Sequence, residues 1–120
     1  MTWDVENTDE FGDWYMELGE ADQAAIAATV DRLAGQGPNL RFPYSSGINN
    51  SRHSHMRELR IQSGGRPLRV FYAFDPRRSA ILLIGGDKTG DDRFYERMIP
   101  VADQLYDVYL DELRQEGLLK

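Results

Sequence analysis

With 120 residues and 41% hydrophobic side chains, the chain suffices for one core and leaves no room for a second, so residues 1–120 are expected to form a single domain. Cysteine is absent, which removes disulfides, thiolate metal sites and a cysteine nucleophile together. The net charge of −6 conceals a reversal: Met1–Asp31 carries nine acids and no Lys or Arg, Arg32–Arg78 carries nine Arg against Glu58 and Asp75, and Ser79–Lys120 carries nine acids against five bases. A basic segment inside an acidic chain can still neutralise phosphates, because the local field decides contact; the alternative is arginine on solvated strands. The start is acidic, with neither a basic nor an apolar leader region, and no stretch approaches the ~20 apolar residues of a membrane span. A cytoplasmic protein with no membrane partner is therefore expected.

Thr2–Glu6 alternates Trp3 and Val5 with polar neighbours and predicts a short first strand. Asp9 is placed to cap a helix whose Phe11, Trp14, Tyr15 and Leu18 fall on one stripe, and Gly19 ends it. Asp22 is placed to cap a second helix carrying Ile26, Val30 and Leu33, closed by Gly35 and Gly37. Two helices joined so tightly form a helical hairpin. From Gln36 to His55, Gly, Pro, Asn and Ser cluster without apolar period and predict a loop long enough to suggest a functional role.

Three strand-like runs follow, MRELRI, LRVFYAFD and SAILLIGGD, separated by turn signals at Gln62–Pro67 and Asp75–Ser79. They predict an antiparallel meander with the apolar AILLI run buried on both sides. In the first run Leu59 and Ile61 share one parity, which places Glu58 and Arg60 together on the opposite face. A glycine-bracketed loop, GGDKTGDD, then leads into a helix that Asp91 or Asp92 can cap. The final pattern, PVADQLYDVYLDEL, is an amphipathic helix that Pro100 must start or kink. The fold class is thus α+β: an N-terminal strand and helical hairpin, an antiparallel β-meander and a C-terminal helix.

The GDKTGDD loop lacks the G-x-x-x-x-G-K-[ST] spacing of a phosphate loop, and no G-x-S-x-G elbow is present. His53, His55, Asp87, Asp91 and Asp92 match no ligand spacing of established geometry, so neither a metal nor another cofactor is expected. What remains is a metal-free constellation of Glu58, Arg60, Arg69, Lys88 and Tyr95. Attack of an RNA 2′-hydroxyl on its own phosphate needs a proton acceptor, cations around the phosphorus and a donor for the leaving oxygen. These residue types can supply all three.

The ordered runs M-R-E-L-R-I, G-G-R-P-L-R-V-F-Y-A-F, I-L-L-I-G-G-D-K and R-F-Y-E-R-M-I-P-V-A-D resemble the RelE/ParE toxin superfamily, closest to its phage-derived, HigB-like branch. The resemblance spans most of the chain and is strongest over Met56–Leu110. It implies a RelE-like, microbial-ribonuclease-type fold and a type II toxin that cuts mRNA on the ribosome without metal. It also implies a cognate antitoxin, a helix-turn-helix protein able to build a toxin–antitoxin heterotetramer.

Carried over by position, Arg69 matches the strand arginine that stabilises phosphate charge, and Lys88 the basic residue at the end of the last strand. Tyr95 matches the tyrosine that stacks on a base or assists proton transfer, and Arg60 adds a phosphate contact. Arg52, His53, Arg57, Arg66, Arg77 and Arg78 form the wider set of expected RNA contacts. Met56 and Glu58 stand where ribosome-dependent relatives carry lysines. Glu58 is then either a replacement base or one half of a surface ion pair. Two other roles remain compatible with the resemblance: a ParE-type inhibitor of DNA gyrase, and an inactive homologue that only binds antitoxin.

Overall fold

The expected first strand lies at Asp4–Asn7 (β1) and pairs in parallel with the last strand of the chain rather than with a sequence neighbour. The computed structural model describes residues 2–119. Thr8, not Asp9, caps the first helix, Asp9–Met16 (α1): its hydroxyl accepts from the Phe11 amide at 3.0 Å and donates to the Leu83 carbonyl at 2.6 Å, tying the helix start to the sheet. The second helix, Glu20–Gln36 (α2), begins at Gly19 without a side-chain cap. Asp22 lies within it and is used for tertiary contacts instead, bonding Ser63 at 2.6 Å and pairing with Arg66.

The expected loop from Gln36 to His55 contains a 3-10 turn at Gly37–Asn39 and a three-residue strand, Ser45–Gly47 (β2). Sequence pattern could not reveal that strand, because three polar or glycine residues carry no alternation. The meander strands are Arg57–Ser63 (β3), Arg66–Asp75 (β4) and Ser79–Asp87 (β5), all antiparallel, giving a sheet of order β1-β5-β4-β3-β2. The last element is one continuous helix, Phe94–Gln115 (α3), with Pro100 inside it and Arg93 at its N-cap. Neither Asp91 nor Asp92 caps it; Asp91 instead closes the preceding turn and pairs with Arg97 at 2.6 Å.

Both faces of the sheet are covered, which explains the unbroken apolar run Ala80–Leu83 on β5, an interior strand between β1 and β4. Leu59, Ile61, Leu68, Val70, Tyr72, Ala80 and Leu82 pack against α1 and α2, with Phe11, Ile26 and Leu33 opposite. Phe71, Ala73, Ile81 and Leu83 pack against α3 through Phe94, Ile99, Ala102 and Tyr106. A register shift at Phe71/Tyr72 leaves one extra residue on β5, so the consecutive Leu83 and Ile84 both serve the α3 side. That slip turns Gly85 toward the helical hairpin and Gly86 toward α3. A Cβ at Gly85 would overlap the Trp14 ring, and one at Gly86 would come within 2.9 Å of Phe94. Among the described residues, no helix is long and apolar enough to cross a membrane.

Candidate active site

Strand register assembles most of the site. Arg60 and Arg69 are direct partners across β3 and β4, and Glu58 lies two residues before Arg60 on the same face, the one α3 covers. Because Gly86 is the cross-strand partner of Arg69 and has no side chain, Phe94 settles over it. This seats the first turn of α3 on the sheet. Tyr95, packed edge-on to Phe71 at 6.2 Å, is thereby delivered to Glu58.

Glu58 is the hub of the cluster and is not on the surface as sheet parity alone suggests: only 4% of it is exposed, since α3 lies above it. The Tyr95 hydroxyl donates to its Oε1 at 2.7 Å and the Ser46 hydroxyl to its Oε2 at 3.1 Å. Arg60 Nη1 stands 3.5 Å from Oε2. Arg69, equally buried, brings Nε to 3.4 Å from Oε1, but the direction is wrong for a hydrogen bond. Its Nη1 donates to the Leu68 carbonyl at 3.0 Å. The Nε–H is thus buried without a hydrogen-bond acceptor, a state that costs about 1–3 kcal/mol and that an incoming oxygen could relieve.

Lys88 extends the cluster. Its amide is fixed by the Pro67 carbonyl at 2.9 Å, and its ammonium lies 5.3 Å from the centre of the Tyr95 ring. One carboxylate therefore faces two cations, Arg60 and Arg69, and a third, Lys88, lies over the ring of its tyrosine partner, which leaves an excess of positive charge suited to an anion. Burial, followed by the hydrogen bond and charge of Glu58, raises the Tyr95 pKa above the usual phenol value; Arg69 opposes this more weakly. Tyr95 is therefore protonated at neutral pH, and its hydroxyl hydrogen points to Glu58. Beside Glu58 and Tyr95 opens a cleft of about 310 Å³, walled by Ile48, Asn49, Asn50 and Ile99.

The wider basic set does not converge here. Arg57 has the opposite parity and donates to Ser45 Oγ at 3.0 Å on the hairpin side of the sheet. Arg66 is held by Asp22 and by Asp87 at 3.1 Å at the far end of the β3–β4 hairpin. Arg52 and His53 are bound by Asp107 at 2.6 and 2.7 Å, while Asp103 takes the Ser51 hydroxyl and the Arg52 amide. These bonds fasten the loop over the cleft to α3. Arg77 joins Asp75, Glu6 and Tyr109 at the turn between β4 and β5, and Arg78 lies 4.4 Å over the Trp3 ring. Acids from both flanks thus neutralise much of the basic middle. Ser46 was absent from the sequence-based set, and nothing in its polar surroundings marks it; only its pairing opposite Glu58 identifies it.

Residues 13–107 match the model of the family described as phage-derived protein Gp49-like. The candidate toxin HigB3 of Mycobacterium tuberculosis is 41% identical over 92 residues, 76% of this chain and 79% of that protein. The candidate toxin HigB2 of the same organism is 35% identical over 99 residues, 81% of this chain but only 49% of that longer protein. Among solved structures, a free RelE toxin variant of E. coli covers 82% of this chain and 96% of its own, with TM-score 0.60 at 9% identity. The archaeal RelE–RelB complex of Pyrococcus horikoshii matches 75% of this chain and 99% of that one, with TM-score 0.56 at 16% identity. The RelE neighbours share the fold, and by its own sequence the chain belongs to the phage-derived Gp49-like family, in which it stands beside the HigB toxins.

Proposed function

We propose that this chain is the toxin of a toxin–antitoxin pair and acts as an endoribonuclease on mRNA held by the ribosome. The observation that carries the reading is the buried Glu58 carboxylate, which receives the Tyr95 hydroxyl at 2.7 Å amid Arg60, Arg69 and Lys88. In the proposed reaction Glu58 takes the proton of the 2′-hydroxyl as that oxygen attacks the adjacent phosphorus. Arg69, Arg60 and Lys88 meet the charge that develops on the non-bridging oxygens. The bond to the 5′-oxygen breaks, and Tyr95, kept protonated by its raised pKa, gives that oxygen its proton. The products are a 2′,3′-cyclic phosphate and a free 5′-hydroxyl. The phosphate enters between the two groups that are hydrogen-bonded in the free protein, replacing their mutual contact.

The partner is an antitoxin. Solved relatives include RelE bound to RelB from Pyrococcus horikoshii and the RelBE toxin–antitoxin complex of E. coli. For this chain we infer a helix-turn-helix antitoxin and a heterotetrameric complex. Mapping mRNA 5′ ends in a translating extract given the purified chain tests the activity. New ends bearing 5′-hydroxyls, lost with the Arg69→Ala, Lys88→Ala double variant, support it. Intact mRNA together with inhibited gyrase supercoiling would replace the ribonuclease reading by a ParE-type one.

A further inference from the structure

Phe42 is the one aromatic side chain among the large hydrophobics left exposed in the described residues, with 70% of its surface open. Its backbone is nevertheless held. The turn it occupies runs into β2, with the Tyr44 and Ser45 amides both bonded to the Arg41 carbonyl and the Tyr44 carbonyl accepting from the Arg60 amide at 2.8 Å. The neighbouring Tyr44 ring is packed on the hairpin core and covered by the Arg32 guanidinium at 4.1 Å. Phe42, by contrast, is turned outward, as are Arg41 and Pro43 on either side of it.

The Arg60 guanidinium lies 5.0 Å from the centre of the Phe42 ring, and its Nη1 reaches 3.5 Å from Glu58. Phe42, Arg60 and Glu58 therefore form a chain of contacts from open solvent to the hub of the site. A ring in that place neither fills the core nor satisfies a polar group. What it offers is an apolar π-face beside a cation, the combination that holds single-stranded nucleic acid by stacking a base and pairing its phosphate.

We propose that Phe42, seated on Arg60, is the stacking platform for the base of a nucleotide flanking the scissile phosphate. This rests on the ribonuclease reading above and adds a base subsite to it. Arg60 then serves two adjacent groups, the ring on one side and the phosphate on the other. Stacking accepts any base, so this subsite strengthens binding without choosing sequence.

The test compares Phe42→Ala, Phe42→Leu and Phe42→Trp in a translating extract, with cleavage followed against mRNA concentration and melting temperature measured alongside. Leu keeps apolar bulk but has no π-face. We expect Ala and Leu to lose about tenfold in cleavage efficiency, chiefly as a raised KM, while Trp cleaves like the wild type and all three melt together. Leucine cleaving as well as phenylalanine overturns the platform while leaving the ribonuclease reading intact. So does a tryptophan variant as poor as leucine. A loss of antitoxin affinity at unchanged cleavage would assign the ring to a protein partner and likewise overturn it. A wild-type chain that cuts nothing defeats the underlying reading, a result distinct from either of these.

Discussion

The Tyr95 hydroxyl and the Glu58 carboxylate are bonded to each other at 2.7 Å, so the donor and the acceptor of the proposed reaction occupy one hydrogen bond before substrate arrives. Removing either should therefore cost about as much as removing both. We expect Tyr95→Phe and Glu58→Gln each to slow single-turnover cleavage by roughly 10²–10⁴-fold, with little further loss in the double variant. Losses that multiply would show the two residues acting separately.

Arg69 and Glu58 are each 4% exposed, so their charges compensate one another in a poorly solvated place. Arg69→Met alone should destabilise the fold by about 3–5 kcal/mol, because it strands much of the Glu58 charge. Adding Glu58→Leu should restore much of that stability while leaving the protein inactive. Urea titrations of the three variants check this. A double variant no more stable than the Arg69 single one contradicts it.

Gly86 links packing to chemistry. A methyl group there would stand 2.9 Å from the Phe94 ring, and Phe94 precedes the tyrosine that reaches Glu58. Gly86→Ala should cost about 1–3 kcal/mol of stability and also reduce cleavage. Gly85→Ala, which collides with Trp14 on the other face, should cost stability while leaving the cleavage rate per folded molecule unchanged.

The carboxylates that bind the flanking arginines set the acid limit of the fold. Hydrogen bonds hold Asp22, Asp87 and Asp107 below the ordinary value of 3.8: Ser63 and then Arg66 act on Asp22, Thr89 on Asp87, and Arg52 on Asp107. At Asp75 burial pushes upward, but Tyr109 and Arg77 together prevail and lower it. In the unfolded chain these groups protonate first as pH falls, so the unfolded state binds more protons. Stability is fully present above 3.8 and declines as pH drops through the lower folded values. Tyr95 has the opposite sign: its stabilising share is present below 10.0 and is lost as pH rises beyond it. Denaturant midpoints across acid pH should fall less steeply in Asp22→Asn. Difference ultraviolet titration against Tyr95→Phe should find this phenol ionising above 10.0.

The linear chain exposed a good deal of this. Period-two alternation in RELRI set Glu58 and Arg60 on one face, and the unbroken AILLI run announced a strand covered on both sides, because these patterns are local consequences of backbone geometry. The helical hairpin was visible for the same reason. β2 and its Ser46 were hidden, since three residues without alternation become a strand only when β3 supplies their hydrogen bonds. Asp22 does not cap its helix because the helix begins earlier, at Gly19, and its carboxylate is taken by Ser63 and Arg66, which are distant in sequence.

The charge reversal was written in the sequence, yet which cations remain available was not. Flank acids reach Arg52, Arg66 and Arg77 across separations no window of residues records, and leave Arg60 and Arg69 beside the Glu58 carboxylate with Lys88 over the Tyr95 ring. The sequence by itself determined the stock of charged groups and, through short-range periodicity, the longer elements and the faces of their strands. Only the tertiary structure decided that α3 would bury Glu58, that one extra residue on β5 would turn Gly86 beneath Phe94, and that Tyr95 would therefore meet its carboxylate. Those outcomes depend on register and on packing between segments far apart in the chain.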